Sequence, residues 1–164
     1  MNGKPHEGYS TLQIALHWIV VALVAFQLVF GESMGELFRA ERRGQTPSGD
    51  AVLWGNLHIW IGFAVLAAVL LRLLLRSRRA APPDLGSPTL ARLAHFTHVA
   101  LYAVMIPVAA TGAVAYYWLP ALGEVHELGK PLLIALIALH VAGALWHQFV
   151  RRDGLITRIL VPKP

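Results

Sequence analysis

The residues best suited to chemistry in this sequence are the histidines of an apolar stretch near its C-terminal end. His126 and His140 are 14 residues apart in the stretch from Glu124 to Arg151. At about 3.6 residues per helical turn, this step returns to within about 40° of the same face and rises about 21 Å. Such a helix points two imidazoles in one direction, one near each side of a bilayer core about 30 Å thick. Neutral imidazole is a good ligand for iron, so the spacing predicts two stacked iron sites.

Composition indicates a membrane protein. Of the 164 residues, 56% are hydrophobic and 14% are charged, whereas soluble domains average about 45–50% apolar and about 25% charged residues. The sequence contains no cysteine, which excludes disulfides, thiolate ligands and covalent haem attachment through a Cys-x-x-Cys-His motif. The net charge of +5 is concentrated in particular loops, and it does not indicate a nucleic-acid surface.

Four apolar runs are long enough to span a bilayer as helices, which takes about 20 residues each. These runs cover residues 12–30, 52–75, 90–118 and 124–150. Helices satisfy their backbone polar groups internally, as lipid requires. We therefore expect an all-α protein, an integral membrane four-helix bundle that forms a single domain over residues 1–164. The connections are expected to be short loops, the first with turn residues (GQTPSGD) and the second rich in proline (AAPPDLGSP).

The charges between the runs predict their orientation. The region of the second connection has four arginines and one aspartate, and the C-terminal tail has four basic residues and one aspartate. The first connection has three arginines and four carboxylates, and the third has one lysine and two glutamates. Because basic loops are retained in the cytoplasm, both termini and the second connection are predicted to be cytoplasmic. The polar N-terminal segment has no cleavable signal pattern, so the first run is expected to remain in the mature protein.

This topology gives each membrane histidine a depth. His58 and His126 fall at an outer level, and His17 and His140 fall at an inner level nearer the cytoplasm. Each level therefore holds a pair drawn from two helices, which is how helical bundles build cofactor sites. A lone membrane histidine can instead form an interhelical hydrogen bond, and structural zinc would need four ligands at one depth. Two pairs at two depths favour two haem groups held non-covalently in the bundle core.

Other polar residues are predicted to lie at the inner level. Arg72 follows His58 by 14 residues and is predicted to pair with a haem propionate or a quinone carbonyl, the alternative being a side chain that snorkels to the interface. Together with Arg72, His95, His98 and His147 are predicted to form a quinone pocket that supplies hydrogen bonds and protons. Depth alone also leaves His95 as an alternative iron ligand at this level.

The chain resembles the bacterial cytochrome b561 family and, within it, the superoxide oxidase branch. The matching motifs are YSTLQIALHW at residues 9–18, LHIWIG at 57–62, LARLAHFTHVALY at 90–102 and HELGK…LHVAGALWH with its 14-residue spacing of His126 and His140. The resemblance spans all four runs and implies two haems b, each with bis-histidine ligation. Carried over residue by residue, it gives as axial ligands the four histidines that the depth argument selects, His17, His58, His126 and His140.

The same resemblance implies an activity and a location. It implies a multi-pass protein of the bacterial inner membrane that oxidises superoxide at the periplasmic side and passes electrons through the haems to ubiquinone near the cytoplasmic side. Two features depart from this expectation. The third connection, at residues 119–123, is shorter than in that branch, and each outer connection carries a net charge of −1, which does not favour the approach of an anion.

An alternative is an electron-transfer cytochrome b subunit. Such a subunit would link a partner dehydrogenase or a periplasmic carrier protein to the quinone pool, and the same diheme helices would serve it. Superoxide and ubiquinone are thus the expected small-molecule partners, the lipid bilayer is the expected surroundings, and a redox partner protein is expected only in the alternative.

Overall fold

The structure is a computed structural model that describes residues 8–78 and 87–162. These residues form an all-helical fold. Its α-helices are α1 (Thr11–Phe30), α2 (Glu32–Arg42), α3 (Gly49–Arg78), α4 (Pro88–Tyr117), α5 (Leu122–Trp146) and α6 (Leu155–Leu160). A π-helical segment, His147–Arg151, continues α5. The predicted proline-rich loop of the second connection falls largely on residues 79–86, outside the described residues.

Four of these helices are long and apolar enough to cross a membrane, namely α1, α3, α4 and α5 with its π-helical continuation. The prediction of a four-helix membrane bundle is confirmed, and each helix covers its predicted run to within three residues at either end. Their outward faces carry large apolar side chains such as Trp60, Phe96 and Leu128, which are 69%, 66% and 71% exposed. Lipid is the solvent that suits such faces.

The prediction that the first connection is a short loop was wrong. It contains α2, an eleven-residue helix whose apolar residues Met34, Leu37 and Phe38 follow an i, i+3, i+4 pattern. Met34 and Leu37 lie against Gly55 of α3, where an added Cβ would be 3.0 Å from Leu37. The Phe38 ring meets Tyr116 of α4 edge-on, with ring centroids 6.4 Å apart. The turn residues of GQTPSGD therefore form only the second part of the connection, between the end of α2 and the start of α3.

Polar side chains cap the start of α1 and hold the C-terminal tail against it, both on the predicted cytoplasmic side. Ser10 and Gln13 form a capping box, in which the Gln13 amide donates to Ser10 Oγ at 3.3 Å and the Ser10 amide donates to Gln13 Oε1 at 3.0 Å. Such a box satisfies backbone donors that a helix start leaves free. The Trp18 indole donates to the carbonyl of Ile159 at 3.1 Å, so α6 folds back against the start of α1.

The spanning helices pack unevenly. The most extensive contacts join α4 to α5, α1 to α3 and α3 to α4, whereas α5 barely approaches α1 or α3 within the described residues. Gly129 of α5 allows the closest approach, because a Cβ there would overlap the Val108 side chain of α4. The buried core lies between the two predicted histidine levels and consists of Val20, Val24, Val65, Val69, Leu101, Tyr102 and Leu133.

Candidate functional site

The four predicted iron ligands lie together as two pairs. The ring centroids of His58 on α3 and His126 on α5 are 6.0 Å apart, and those of His17 on α1 and His140 on α5 are 6.3 Å apart. A metal–imidazole bond of about 2.1 Å, with about 1.1 Å more to the ring centre, puts two rings on opposite sides of one metal ion about 6.4 Å apart. Both pairs therefore have the spacing that axial ligation of a single iron requires.

The side chains of each pair have the chemistry to hold a haem. Helix α5 supplies one histidine to each level, yet its close packing is with α4, and it barely approaches α1 or α3 in the described part of the chain. The imidazoles thus bridge helices that are otherwise loosely packed. The donor set is two imidazoles at each level, and the sequence offers no thiolate. Such a donor set fits haem b, which is held non-covalently by histidine.

His126, the predicted outer ligand on α5, is held in a fixed orientation by α4. Its Nδ1 lies 2.8 Å from the carbonyl oxygen of Val108, so this nitrogen carries the hydrogen and donates it. A metal-bound histidine usually donates its second ring N–H in this way, which turns the other nitrogen toward the metal. Gly112 forms the wall behind the ring, because a Cβ there would be 2.8 Å from both Cε1 and Nδ1 of His126.

Sequence analysis missed both of these residues. Glycine inside an apolar helix is a visible signal of close approach, and Gly112 could have been found on that ground. The Val108 carbonyl could not, because no pattern in one sequence tells which backbone oxygen an imidazole of another helix will reach.

His98 lies beside the inner pair. Its ring centroid is 5.0 Å from that of His140, and its Nδ1 donates to the carbonyl of Ala94, one turn earlier in α4, at 2.6 Å. The 5.0 Å separation is shorter than the roughly 6.4 Å at which two rings face each other across one metal ion. His98 therefore lies beside His140, the predicted inner ligand, and its assignment to a quinone site stays a prediction.

Arg72 also lies at the inner level. Its Nη1 donates to the carbonyl of Gln13 at 3.1 Å, and its charge is close enough to His17 and His140 to act on both. The guanidinium is thus bonded to the backbone near the start of α1, and snorkelling to the interface stays the alternative interpretation. Its role as a partner of a haem propionate or a quinone carbonyl stays a prediction.

His95 and His147 lie apart from this group. His95 is exposed, and its ring meets that of Phe96 with centroids 5.9 Å apart. His147 is buried, and its Nδ1 lies 2.5 Å from Asp153 Oδ2. Among the described residues, neither ring contacts that of His98 or His140, so the three histidines do not form one cluster. Their assignment to a quinone site, and His95 as an alternative ligand, stay predictions.

The pair of His147 and Asp153 lies at the predicted cytoplasmic end of the fourth span. Here α5 gives way to the π-helical segment, and the chain then turns through Arg152 (φ 53°) and Gly154 (φ 72°), both left-handed. Asp153 Oδ1 accepts the Leu155 amide at 3.2 Å and so starts α6. A π-helical turn and a non-glycine residue with positive φ are both enriched at functional sites. Sequence analysis missed Asp153 as the partner of His147.

Asp153 is held in its ionised form. Its side chain is only 12% exposed, and burial alone would raise its pKa. Hydrogen bonds from His147 and the Leu155 amide, together with the charges of His147 and Arg151, outweigh burial and lower the pKa of Asp153 below its ordinary value of 3.8. The carboxylate is therefore a partner of His147 throughout the neutral range.

The lowered pKa of Asp153 predicts an acid transition in the tail. Because the folded-state pKa lies below the unfolded one, ionised Asp153 stabilises the tail above about pH 4, and this stabilisation is lost as the pH falls through the lowered pKa. We expect amide hydrogens of residues 152–160 to lose protection below that pH, as measured by hydrogen exchange corrected for intrinsic rates. Asp153→Asn should lose the protection even at pH 7, while Asp50→Asn, at the opposite side, should behave like the wild type. An acid step that survives in Asp153→Asn would assign the transition to another carboxylate.

A bundle of four spanning helices with two bis-histidine pairs is the architecture of a b-type membrane cytochrome. The chain belongs to the prokaryotic cytochrome b561 family, which it matches over residues 8–161. It is 33% identical over 160 residues to cytochrome b562 of Cereibacter sphaeroides, a match that covers 95% of this chain and 97% of that protein. It is 27% identical over 182 residues to the probable superoxide oxidase CybB of Yersinia pestis, with coverage of 96% and 98%. No solved structure is a significant match.

These matches confirm the resemblance drawn from the motifs. The protein is a bacterial membrane cytochrome b of an electron-transfer family that binds haem b. Cytochrome b561 homolog 1 of Escherichia coli is a further relative, 25% identical over 178 residues that cover 93% of this chain and 96% of that protein. The alignments to CybB and to this homologue extend over 182 and 178 positions. Both exceed the 164 residues of this chain, so these two relatives contain segments that have no counterpart here.

Proposed function

We propose that this protein is a superoxide:ubiquinone oxidoreductase of the bacterial inner membrane that holds two haems b. Two superoxide anions would release two electrons at the periplasmic side and leave as two molecules of oxygen. The two electrons, passed through the two haems, and two protons would convert one ubiquinone to ubiquinol near the cytoplasmic side. The observation that carries the proposal is the presence of two histidine pairs, with ring centroids 6.0 Å apart in the outer pair and 6.3 Å apart in the inner one. The members of the two pairs on α5, His126 and His140, are about 21 Å apart along the helix axis.

Each residue set has a defined task in this proposal. His58 and His126 would hold the outer haem, and His17 and His140 would hold the inner one. Bound haem b would supply one-electron redox chemistry, while the protein fixes its position and tunes its potential. The apolar core between the two levels, which includes Val69 at 1% exposure, would keep water and protons away from the electron route.

Helix α2 supports the choice of superoxide as donor. The outer connections carry a net negative charge, but the charge along α2 is uneven. Glu32 and Glu36 lie in its first half, whereas residues 39–43 hold three arginines and one glutamate, a local net charge of +2. Arg43 follows α2 directly and is exposed. At the other end of α2, Lys130 of α5 lies 3.5 Å from Glu32. The basic end of α2 offers an anion a locally favourable approach that the summed loop charge conceals.

The reduction of ubiquinone requires protons on the cytoplasmic side. We assign the quinone site to the inner end of the bundle, with His98 beside the inner ligand pair and Arg72 as a hydrogen-bond donor to a quinone carbonyl. His147, hydrogen-bonded to Asp153, and the exposed His95 are the further side chains that can exchange protons there.

An electron-transfer subunit is the second candidate function. It is favoured by the 33% identity to cytochrome b562 over 160 residues, an alignment that is shorter than this chain, unlike the alignment to CybB. In that case a partner dehydrogenase or a periplasmic carrier protein would reduce the outer haem. The short third connection, residues 118–121 between α4 and α5, would leave the outer surface open for docking.

The two candidates differ in what reduces the purified protein. We expect superoxide to reduce the haems of the protein reconstituted with ubiquinone, with one ubiquinol formed for every two superoxide anions. His140→Ala should still take up electrons at the outer site but form no ubiquinol. Added superoxide dismutase should abolish both signals, which controls for reduction by other species. Haems that stay oxidised with superoxide but are reduced by dithionite would exclude superoxide as donor and favour the electron-transfer subunit.

A further inference from the structure

A buried glutamine lies against the outer ligand His58. The Nε2 of Gln27, on α1, donates to the backbone carbonyl of His58 on α3 at 2.8 Å. Gln27 Oε1 and His58 Nδ1 are both buried, and neither has a hydrogen-bond partner among the described residues. The Gln27 side chain thus contacts the backbone of His58, while its own oxygen, an acceptor, and the Nδ1 of His58, a potential donor, both remain unpaired. Leaving two buried polar atoms unpaired is energetically unfavourable.

The outer pair is asymmetric in this respect. His126 donates its Nδ1 hydrogen to the carbonyl of Val108 at 2.8 Å, a backbone acceptor that no substitution removes. His58 has no such backbone partner in the described part of the chain, although a metal-bound histidine almost always donates its second ring N–H to an oxygen acceptor. Gln27 Oε1 is an unpaired side-chain acceptor, and it belongs to the residue that already donates to the His58 backbone.

Two glycines allow Gln27 and His58 to come together. A Cβ on Gly62, one turn after His58, would be 3.1 Å from Gln27 Nε2. A Cβ on Gly31, one turn after Gln27, would be 2.6 Å from the Gln27 carbonyl oxygen and 3.3 Å from His58 Cε1. A side chain at Gly62 would press on the Gln27 amide, and one at Gly31 would press on the His58 ring as well as on the Gln27 carbonyl of its own helix. The lack of a side chain at both positions therefore leaves room for the Gln27 amide and His58 to lie close together.

We propose that Gln27 is a positioning residue for the outer haem, in which its side-chain oxygen accepts the Nδ1 hydrogen of His58. The inference rests on the proposed ligation of the outer haem by His58 and His126. A hydrogen bond at Nδ1 directs Nε2 to the iron and makes the imidazole more basic. A more basic ligand stabilises ferric over ferrous iron, so Gln27 lowers the reduction potential of the outer haem. The type of side chain at position 27 therefore influences the reduction potential of the outer haem.

The test is a redox titration of the two haems in variants at position 27. In Gln27→Leu the outer potential should rise, by about 59 mV if the preference for ferric iron falls tenfold, and the affinity for the outer haem should fall about 10–100-fold. Gln27→Glu, which restores an oxygen acceptor, should return the potential to the wild-type value or below. The electron paramagnetic resonance signal of the outer ferric haem should shift in Gln27→Leu and recover in Gln27→Glu.

Several controls keep the outcome interpretable. The inner haem of each variant should keep its potential, and Ser33→Ala, which removes a hydrogen bond to the nearby Phe30 carbonyl, should leave both potentials unchanged. Gly62→Ala should move the outer potential in the same direction as Gln27→Leu, because its Cβ displaces the amide. An outer potential and resonance signal that are the same in all variants would overturn the role of Gln27 while leaving the ligands in place. A wild-type protein without an outer haem would instead overturn the proposed ligation itself.

Discussion

Replacing His58 or His126 with alanine is expected to remove one haem from the purified protein and leave the other in place. The two rings are 6.0 Å apart and are proposed to supply both protein ligands of the outer haem, so the loss of either would leave its iron with one protein ligand. The inner pair, about 21 Å away along α5, shares no ligand with the outer pair. The ratio of haem to protein should therefore fall from about two to about one, measured from the pyridine haemochrome spectrum and a protein assay.

Matched variants separate this result from a general loss of structure. His17→Ala and His140→Ala should remove the other haem, and the two sets of variants should retain reduced spectra that sum to that of the wild type. His95→Ala should retain both haems, because His95 is exposed and lies apart from the inner pair. Loss of the inner haem in His95→Ala but not in His17→Ala would identify His95 as the ligand. Two haems in both outer variants would refute the pairing.

The positions of the four histidines could be predicted because they depend on features that a sequence shows directly. The 14-residue step between His126 and His140 fixes their relative direction through helical periodicity alone. The charges of the loops gave the direction of each span, and direction with distance from the span end gave the depth. Since a membrane imposes parallel spans of nearly fixed length, equal depth on neighbouring helices is enough to bring side chains such as His58 and His126 together.

Helix α2 could not be predicted with the same certainty, because it is short and depends on tertiary contacts. An isolated helix of eleven residues is unstable in water, and α2 is stabilised by the burial of Leu37, which is 8% exposed. The contact surface is provided by Gly55, and nothing near α2 in the sequence indicates that α3 has a glycine at that height. The spacing of Met34, Leu37 and Phe38 was the available signal.

The partner of His147 could not be predicted from helical periodicity. Its seven-residue step from His140 predicts that both residues lie on nearly the same face of one helix. The α-helix ends at Trp146, the π-helical segment covers His147–Arg151, and the chain then turns at Arg152. His147 is paired with Asp153, a residue that the chain reaches only after this turn. Periodicity predicts which residues share a helix face, but it does not predict where the chain goes after the helix ends.

Gly112→Val is expected to weaken the binding of the outer haem strongly, even though residue 112 supplies no ligand. A Cβ at this position would be 2.8 Å from Cε1 and Nδ1 of His126, closer than atoms that are not bonded to each other tolerate. The ring cannot retreat without lengthening its 2.8 Å hydrogen bond to the Val108 carbonyl, which belongs to the same helix as Gly112. Either the ring or that bond must move, so the affinity for the outer haem should fall about 10–100-fold.

The measurement is a titration of haem into protein depleted of it, with the inner site as the internal reference. Gly112→Ala should show a smaller loss than Gly112→Val, because one methyl group can be accommodated by a small shift of the ring. Gly143→Ala on α5 is the matched control, since a Cβ there meets nothing within 4 Å, and alanine favours the helix over glycine by about 1 kcal/mol. Full outer occupancy with an unchanged spectrum in Gly112→Val would mean that α4 does not hold His126 in place. The fixed orientation of that ligand would then have to come from the haem and α3 alone.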